Sequence, residues 1–268
     1  MVDPGPAVMV LAAGGCYWAG WSRTATAPDR PDGHARQWWR PCLFGAGLAT
    51  VAVALVSPLD GMARSSLTAH MVQHVLLLVV GSALLVAAAP VPTLLAGLPR
   101  VVRDAAAPGW ALVSASARSR LWPAWMAAAV VVQTAVMWAW HAPALYGAAL
   151  DDKAVHAVEH LSFLGAGLLF WGALAAAVAG RRGAGVVAMF VAALPGTALG
   201  AALTLAPRTW YPAYPSLEDQ QLAGVVMWGF AGALYVVAAG VVFGLWLAAE
   251  DAEVTVVGPT RTAVGAEP

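Results

Sequence analysis

Long apolar stretches dominate this sequence and constrain its fold more than any motif does. A transmembrane helix needs about 20 mostly apolar residues, and stretches of this kind recur along the whole chain. We predict seven spans, at approximately residues 6–22, 41–57, 67–90, 122–141, 154–179, 184–206 and 222–249. Only 10% of the residues are charged, against roughly 25% in soluble domains. The chain is therefore predicted to be all-α, a polytopic helical bundle in a membrane.

The arginines and lysines predict how the bundle is oriented. Segments that follow spans one, three, five and seven carry eleven of these 14 residues, and the remaining segments carry Arg64, Lys153 and Arg208. Cytoplasmic loops are enriched in positive charge, so we predict an outer N-terminus and a cytoplasmic C-terminus. Residues 1–249 are expected to form one transmembrane domain, and residues 250–268 a disordered cytoplasmic tail. On this orientation Tyr211 and Tyr214 belong to the outer aromatic belt.

Histidines recur at one predicted depth in the membrane. The sequence HMVQH places His70 and His74 near the start of the third span, and HAVEH places His156 and His160 near the start of the fifth. His141 ends the fourth span, so all five histidines are predicted to lie in the outer leaflet. Ionisable residues inside a membrane are functional by default, and this agreement in depth favours one shared site.

The spacing within each pair favours a metal site. Residues four apart share one helical face, an arrangement that zinc helices of the HExxH type use to bind one ion. We predict ligands at His70, His74, His156 and His160, with further candidates at His141 and Met227. A thioether beside imidazoles favours copper, particularly Cu(I). Supporting hydrogen bonds are expected from residues that face away from the ligands or lie in the outer loop: Gln73, Glu159, Asp219 and Gln220.

Other interpretations of these histidines remain open. They are compatible with hydrogen bonds between packed helices, with axial ligation of a b-type haem, or with a metal transporter. HAVEH also matches the HxxEH string of inverted zinc proteases, but the predicted spans supply no second acidic ligand after Glu159. We therefore expect a protein that is not an enzyme.

Internal similarity predicts a repeat. His70 and His156 are offset by 86 residues, and Pro58 and Pro143 by 85. Spans two and three would then repeat as spans four and five, related by an axis along the membrane normal. Two further strings, GTALG at 196–200 and GVVFG at 240–244, are typical of close helix contacts.

Four motifs in order resemble one bacterial family. HMVQH, WHAPALYGAAL, HAVEHLSFLGAGLLFW and WYPAY followed by LEDQQLAGVVMW are similar to the caa3-type cytochrome c oxidase assembly factors, the seven-span CtaG type. The resemblance covers approximately residues 55–249 and includes both histidine pairs, His141 and the segment around Met227. It implies a bacterial plasma membrane protein that matures haem-copper oxidase, with oxidase subunits as partners and copper as the metal handled. A formal net charge of zero argues against nucleic acid as a partner.

Overall fold

A computed structural model describes residues 4–25, 37–178 and 181–257. Every regular element in these ranges is a helix, and they contain no strand, so the all-α prediction is confirmed. Six of the described helices are long and apolar enough to cross a membrane. The chain is therefore a multi-pass helical membrane protein.

We number the helices in chain order. They are α1 (Pro4–Ala25), α2 (Trp39–Val56), α3 (Pro58–Ala63), α4 (Leu67–Ala87), α5 (Val91–Gly97), α6 (Arg100–Arg118), α7 (Trp122–Trp140), α8 (Pro143–Asp151), α9 (Lys153–Val178), α10 (Arg182–Leu205) and α11 (Leu217–Val225, continued as Val226–Phe230 and Ala231–Val257). The six candidate spans are α2, α4, α7, α9, α10 and α11 up to Glu250.

The predicted count of seven spans is not confirmed, because α1 is not among these six. Its 22 residues are long enough to cross a membrane, but Pro4, Pro6 and several glycines and aromatic residues reduce its hydropathy. The helix packs against α5, where the Cys16 Sγ donates to the Leu94 carbonyl over 3.3 Å. The Arg23 guanidinium also donates to the Ala96 carbonyl over 2.7 Å. These contacts attach α1 to the remaining helices.

Two boundaries differ from the sequence prediction. The segment 91–121, which carried no predicted element, forms α5 and α6. Helix α11 continues to Val257, so the predicted end of the last span at residue 249 falls inside a helix. Residues 258–268 of the predicted tail lie outside the described residues.

The order of elements is shared by the two segments that were predicted to repeat. In each, a long helix (α2 or α7) is followed by a short helix that begins at a proline, Pro58 or Pro143. A long helix with a histidine pair, α4 or α9, comes next. A structural repeat with parallel topology stays a prediction.

Two π-helical turns interrupt the long helices close to candidate site residues. Helix α4 changes to π geometry at Leu76–Gly81, directly after His74 and Val75. Helix α11 does so at Val226–Phe230, which includes Met227. Single π turns inside α-helices often occur at functional sites, since they change the direction in which nearby side chains point.

Glycines allow α10 and α11 to touch at backbone distance. A Cβ added to Gly200 would lie 2.8 Å from the Gly224 carbonyl oxygen, and one added to Gly224 would overlap Thr204. The prediction of a close contact is therefore confirmed for GTALG. It is wrong for GVVFG, because a Cβ on Gly240 or Gly244 would meet nothing within 4 Å. Small residues allow close packing only where a second helix is present.

We predict that Gly224→Ala destabilises the protein, because the new methyl group has no space between α10 and α11. Overpacking of this kind costs about 1–3 kcal/mol. Gly240→Ala is the matched control and should leave stability unchanged or raise it, since alanine is the better helix former. Thermal unfolding of the purified protein in detergent measures both. Equal midpoints for the two variants would contradict the packing.

Candidate metal centre

The two histidine pairs meet at the contact between α4 and α9. The ring centroids of His70 and His156 are 5.5 Å apart, and those of His74 and His160 are 6.0 Å apart. His74 and His141 are separated by 5.7 Å between ring centroids. The five predicted histidines therefore form one cluster inside the bundle.

Glu159 lies at the centre of this cluster. Its Oε2 is 3.6 Å from the Nε2 of His70 and 3.9 Å from the Nε2 of His156. Its Oε1 is 3.3 Å from the Nε2 of His74. Four groups, from His70, His156, Glu159 and His160, each offer a ligand atom within 4.8 Å of the others.

The expected orientation of Glu159 was wrong. Three residues along a helix correspond to a rotation of about 300°, so Glu159 lies only about 60° from His156 around α9. The side chain is fully buried and points to α4, which supplies His70 and His74. Glu159 is therefore a potential ligand rather than a supporting residue.

The cluster contains buried polar atoms that lack hydrogen-bond partners. They are the Nε2 atoms of His70, His74, His156 and His160, the Nδ1 of His74 and both carboxylate oxygens of Glu159. The contacts between Glu159 and the imidazoles are too long or poorly aligned for good hydrogen bonds. Buried polar groups are paired in the great majority of cases, so this concentration of unpaired atoms is exceptional.

A tyrosine fixes the tautomer of His70. The Tyr214 hydroxyl donates to the Ala63 carbonyl over 2.6 Å, so its oxygen is an acceptor for the Nδ1–H of His70 at 3.3 Å. Burial raises the pKa of Tyr214 to about 12, so the hydroxyl keeps its proton at neutral pH. The Nε2 of a neutral His70 then carries a lone pair that is directed at the cluster.

A carbonyl group fixes His141 in the same way. The Nδ1 of His141 lies 2.6 Å from the Met137 carbonyl oxygen, which can only accept. The lone pair of its Nε2 therefore faces the Sδ of Met71, 3.1 Å away. The Tyr211 hydroxyl also donates to the His141 carbonyl over 2.8 Å and fixes the backbone there.

Met227 lies beside the cluster rather than within it. Its side chain lines a cavity of about 40 Å³ together with His74, His141 and Met137. The cavity continues to Gln133 and Tyr235, where the Gln133 amide donates to the Tyr235 hydroxyl over 3.0 Å. An opening of this size admits an ion or a few water molecules, but it is far smaller than a haem.

Three of the four predicted supporting residues do not contact the histidines by hydrogen bonds. Gln73 donates to the Ala54 carbonyl over 2.7 Å. Asp219 accepts from the Leu67 amide over 2.6 Å and from the Thr68 amide over 3.2 Å, which caps α4. Gln220 accepts from the Trp210 amide over 2.6 Å. Asp219 and Gln220 therefore position α4 and the loop before α11, respectively, and act on the cluster only through the backbone.

Three tyrosines that the sequence did not indicate enclose the site. Tyr146, Tyr211 and Tyr214 are among the largest fully buried side chains of the described residues. The prediction that Tyr211 and Tyr214 lie in an interfacial belt was therefore wrong. Tyr146 packs on His70 with 5.0 Å between ring centroids. A tyrosine in a loop near a membrane surface suits either role, so the sequence alone gave no signal for burial.

Comparison with known proteins identifies a family. Neither a curated protein nor a solved structure matches the chain. The family model of the cytochrome c oxidase caa3 assembly factor (Caa3_CtaG) matches residues 15–249, which include every member of the histidine cluster. The chain therefore belongs to the cytochrome c oxidase caa3 assembly factor family.

Proposed function

We propose that this protein serves the assembly of cytochrome c oxidase by binding a copper ion as cargo at its histidine–glutamate cluster. The proposal depends on one observation: His70, His156, Glu159 and His160 each offer one ligand atom, and the four atoms lie within 4.8 Å of one another. Membership of the family supports a role in the assembly of the oxidase. The ligand atoms of the cluster support the binding of a metal ion.

The unpaired atoms favour a cation over simple helix packing. An uncompensated carboxylate is costly to bury, and histidines that only joined helices would form direct hydrogen bonds. Here both oxygens of Glu159 and four imidazole Nε2 atoms have no hydrogen-bond partner. A metal ion would satisfy several of these atoms at once, and it would compensate the charge of Glu159.

The ligand types favour copper among divalent ions. Imidazole suits copper and zinc, and sites of this kind bind Cu²⁺ more tightly than the other divalent first-row metals. The thioethers of Met71 and Met227 lie beside the cluster, and sulfur ligands of this type suit copper in its reduced form, Cu(I). An oxidase with a haem-copper centre also requires copper during its assembly.

The orientation of the chain remains part of the proposal. An outer N-terminus, seven spans and a cytoplasmic C-terminus would place the cluster in the outer half of a bacterial plasma membrane. There the protein could receive copper and pass it to an oxidase subunit.

We predict that the double variant His156→Ala/His160→Ala loses the Cu(II) bound at the cluster but stays in the membrane. Both changes remove a ligand and keep α9 apolar and helical. Glu159→Gln keeps the size of the side chain and removes its charge, so we expect copper affinity to fall about tenfold or more. Metal analysis and copper titration of the purified protein measure these effects.

His34→Ala tests whether the loss of any one imidazole lowers copper binding. This control variant should bind copper as the unmodified protein does. Wild-type copper stoichiometry in the double variant would mean that the site is elsewhere. If the double variant disappears from the membrane while Glu159→Gln binds copper normally, the histidines serve packing and the proposal fails.

We predict that deletion of the protein lowers cytochrome c oxidase activity, because the enzyme would lack copper. A plasmid copy with Glu159→Gln should fail to restore activity, whereas one with Met126→Leu, a buried and volume-conserving change in α7, should restore it. Oxidase activity and copper content in isolated membranes are the measurements. Full activity in the deletion strain would contradict the role in assembly.

We predict a cytoplasmic C-terminus from the excess of positive charge in alternate segments. A reporter that is active only in the cytoplasm should work when fused after Ala249, and a reporter that needs export should not. The opposite result would move the histidine cluster to the inner half of the membrane and would overturn delivery from outside.

A further inference from the structure

A second set of side chains that could bind a metal ion lies next to the histidine–glutamate cluster. Met71, Met137 and Met227 come from three different helices, α4, α7 and α11, and all three are buried. The Sδ of Met71 lies 3.1 Å from the Nε2 of His141. Met137 and Met227 line the 40 Å³ cavity that His141 also lines. One thioether therefore contacts the His141 imidazole, and two more line the same cavity as that ring.

The contact between Met71 and His141 calls for a cation. The Nδ1 of His141 faces a carbonyl oxygen at 2.6 Å and carries the ring proton, so the Nε2 of the neutral ring has only a lone pair. Sulfur likewise offers lone pairs to its neighbours. Two lone pairs at this distance repel each other unless a positive centre binds both. Bond lengths of about 2.0 Å to nitrogen and 2.3 Å to sulfur allow one ion to bind both atoms at an angle near 90°.

A second observation points to a ligand in the same cavity. The Nδ1 of His74 and the Oε1 of Gln133 have no hydrogen-bond partner, and these side chains are only 4% and 3% exposed. Both residues line the cavity. Buried polar atoms without partners are rare, so methionines that only filled space would leave these atoms unexplained.

We propose that this cavity, together with the Met71 thioether that adjoins it at His141, is a separate site for a soft, monovalent metal ion, Cu(I). His141, Met71, Met137 and Met227 would bind the ion. Thioether ligands select Cu(I), whereas the imidazoles and carboxylate of the neighbouring cluster suit a divalent ion. The biological purpose of this second site rests on the proposed function. The geometry of the second site does not depend on Glu159.

His74 lies between the two sites. Its Nε2 is 3.3 Å from Glu159 in the cluster, and the same ring borders the sulfur-lined cavity. The π-helical turn Val226–Phe230 places Met227 at this border as well. The two sites therefore share a boundary residue and discriminate between ions by ligand chemistry.

The experiment uses Ag(I), a stable monovalent ion with the ligand preferences of Cu(I), and Zn(II) for the cluster. All proteins carry Cys16→Ser and Cys42→Ser, because the thiols of these two free cysteines bind Ag(I). The test variant is Met71→Leu/Met227→Leu, and the control is Met126→Leu/Met189→Leu, which changes two buried methionines outside the cavity. Leucine conserves the volume of methionine.

We expect the test variant to lower Ag(I) affinity about tenfold or more while its Zn(II) affinity stays unchanged. The control should bind both ions normally. Glu159→Gln should lower Zn(II) affinity and leave Ag(I) binding unchanged. Normal Ag(I) binding by the test variant, or equal loss in the control, would overturn the second site.

Two further measurements separate this proposal from the proposed function. X-ray absorption of the Cu(I)-loaded protein should show sulfur neighbours of copper, and their absence overturns the site even if the test variant does not fold. If the protein binds Ag(I) through these methionines but binds neither Zn(II) nor Cu(II) at the cluster, the second site stands and the divalent site fails.

Discussion

The burial of the Glu159 carboxylate among imidazoles is the constraint on which the rest of the site depends. A lone carboxylate inside a membrane bundle is strongly destabilising, and here its oxygens lie 3.3–3.9 Å from three imidazole nitrogens. A cation nearby, either a metal ion or a protonated imidazole, compensates that charge. The helices α4 and α9 must therefore hold their polar faces together, and the surrounding structure keeps them in register.

The surrounding side chains hold α4 and α9 in register mostly by hydrogen bonds to backbone groups. Asp219 binds the start of α4 and joins it to α11. Tyr214 spans from the Ala63 carbonyl to His70, and Tyr211 reaches the His141 carbonyl. Each of these groups fixes the position or the tautomer of an imidazole without being a ligand itself. The loop before α11 is thus part of the site, because its Tyr214 determines which nitrogen of His70 is free to bind.

The sequence predicted the helical fold and the meeting of the two histidine pairs, because hydropathy and the spacing of four residues are local signals. Helical spacing alone places Glu159 about 60° from His156 around α9, which the prediction overlooked, but its position at the centre also depends on the direction from which α4 approaches. The sequence did not predict the burial of Tyr211 and Tyr214, which depends on how the loop folds back. Helix α1 shows the limit of hydropathy as well: a helix forms over Pro4–Ala25, but its glycines and aromatic residues leave it outside the six apolar spans.

The proposed delivery of a metal ion also requires its release, and the composition of the cluster would suit this. A site made only of strong anionic ligands would leave several uncompensated charges when its ion departs, which opposes release. This cluster has one carboxylate and several imidazoles, and an imidazole can take up a proton when the metal leaves. The resulting imidazolium would neutralise Glu159 at a distance already set by the helices. Binding and release would then exchange a metal ion for protons within a nearly fixed arrangement of α4 and α9, so that transfer to a partner requires no unfolding of the bundle.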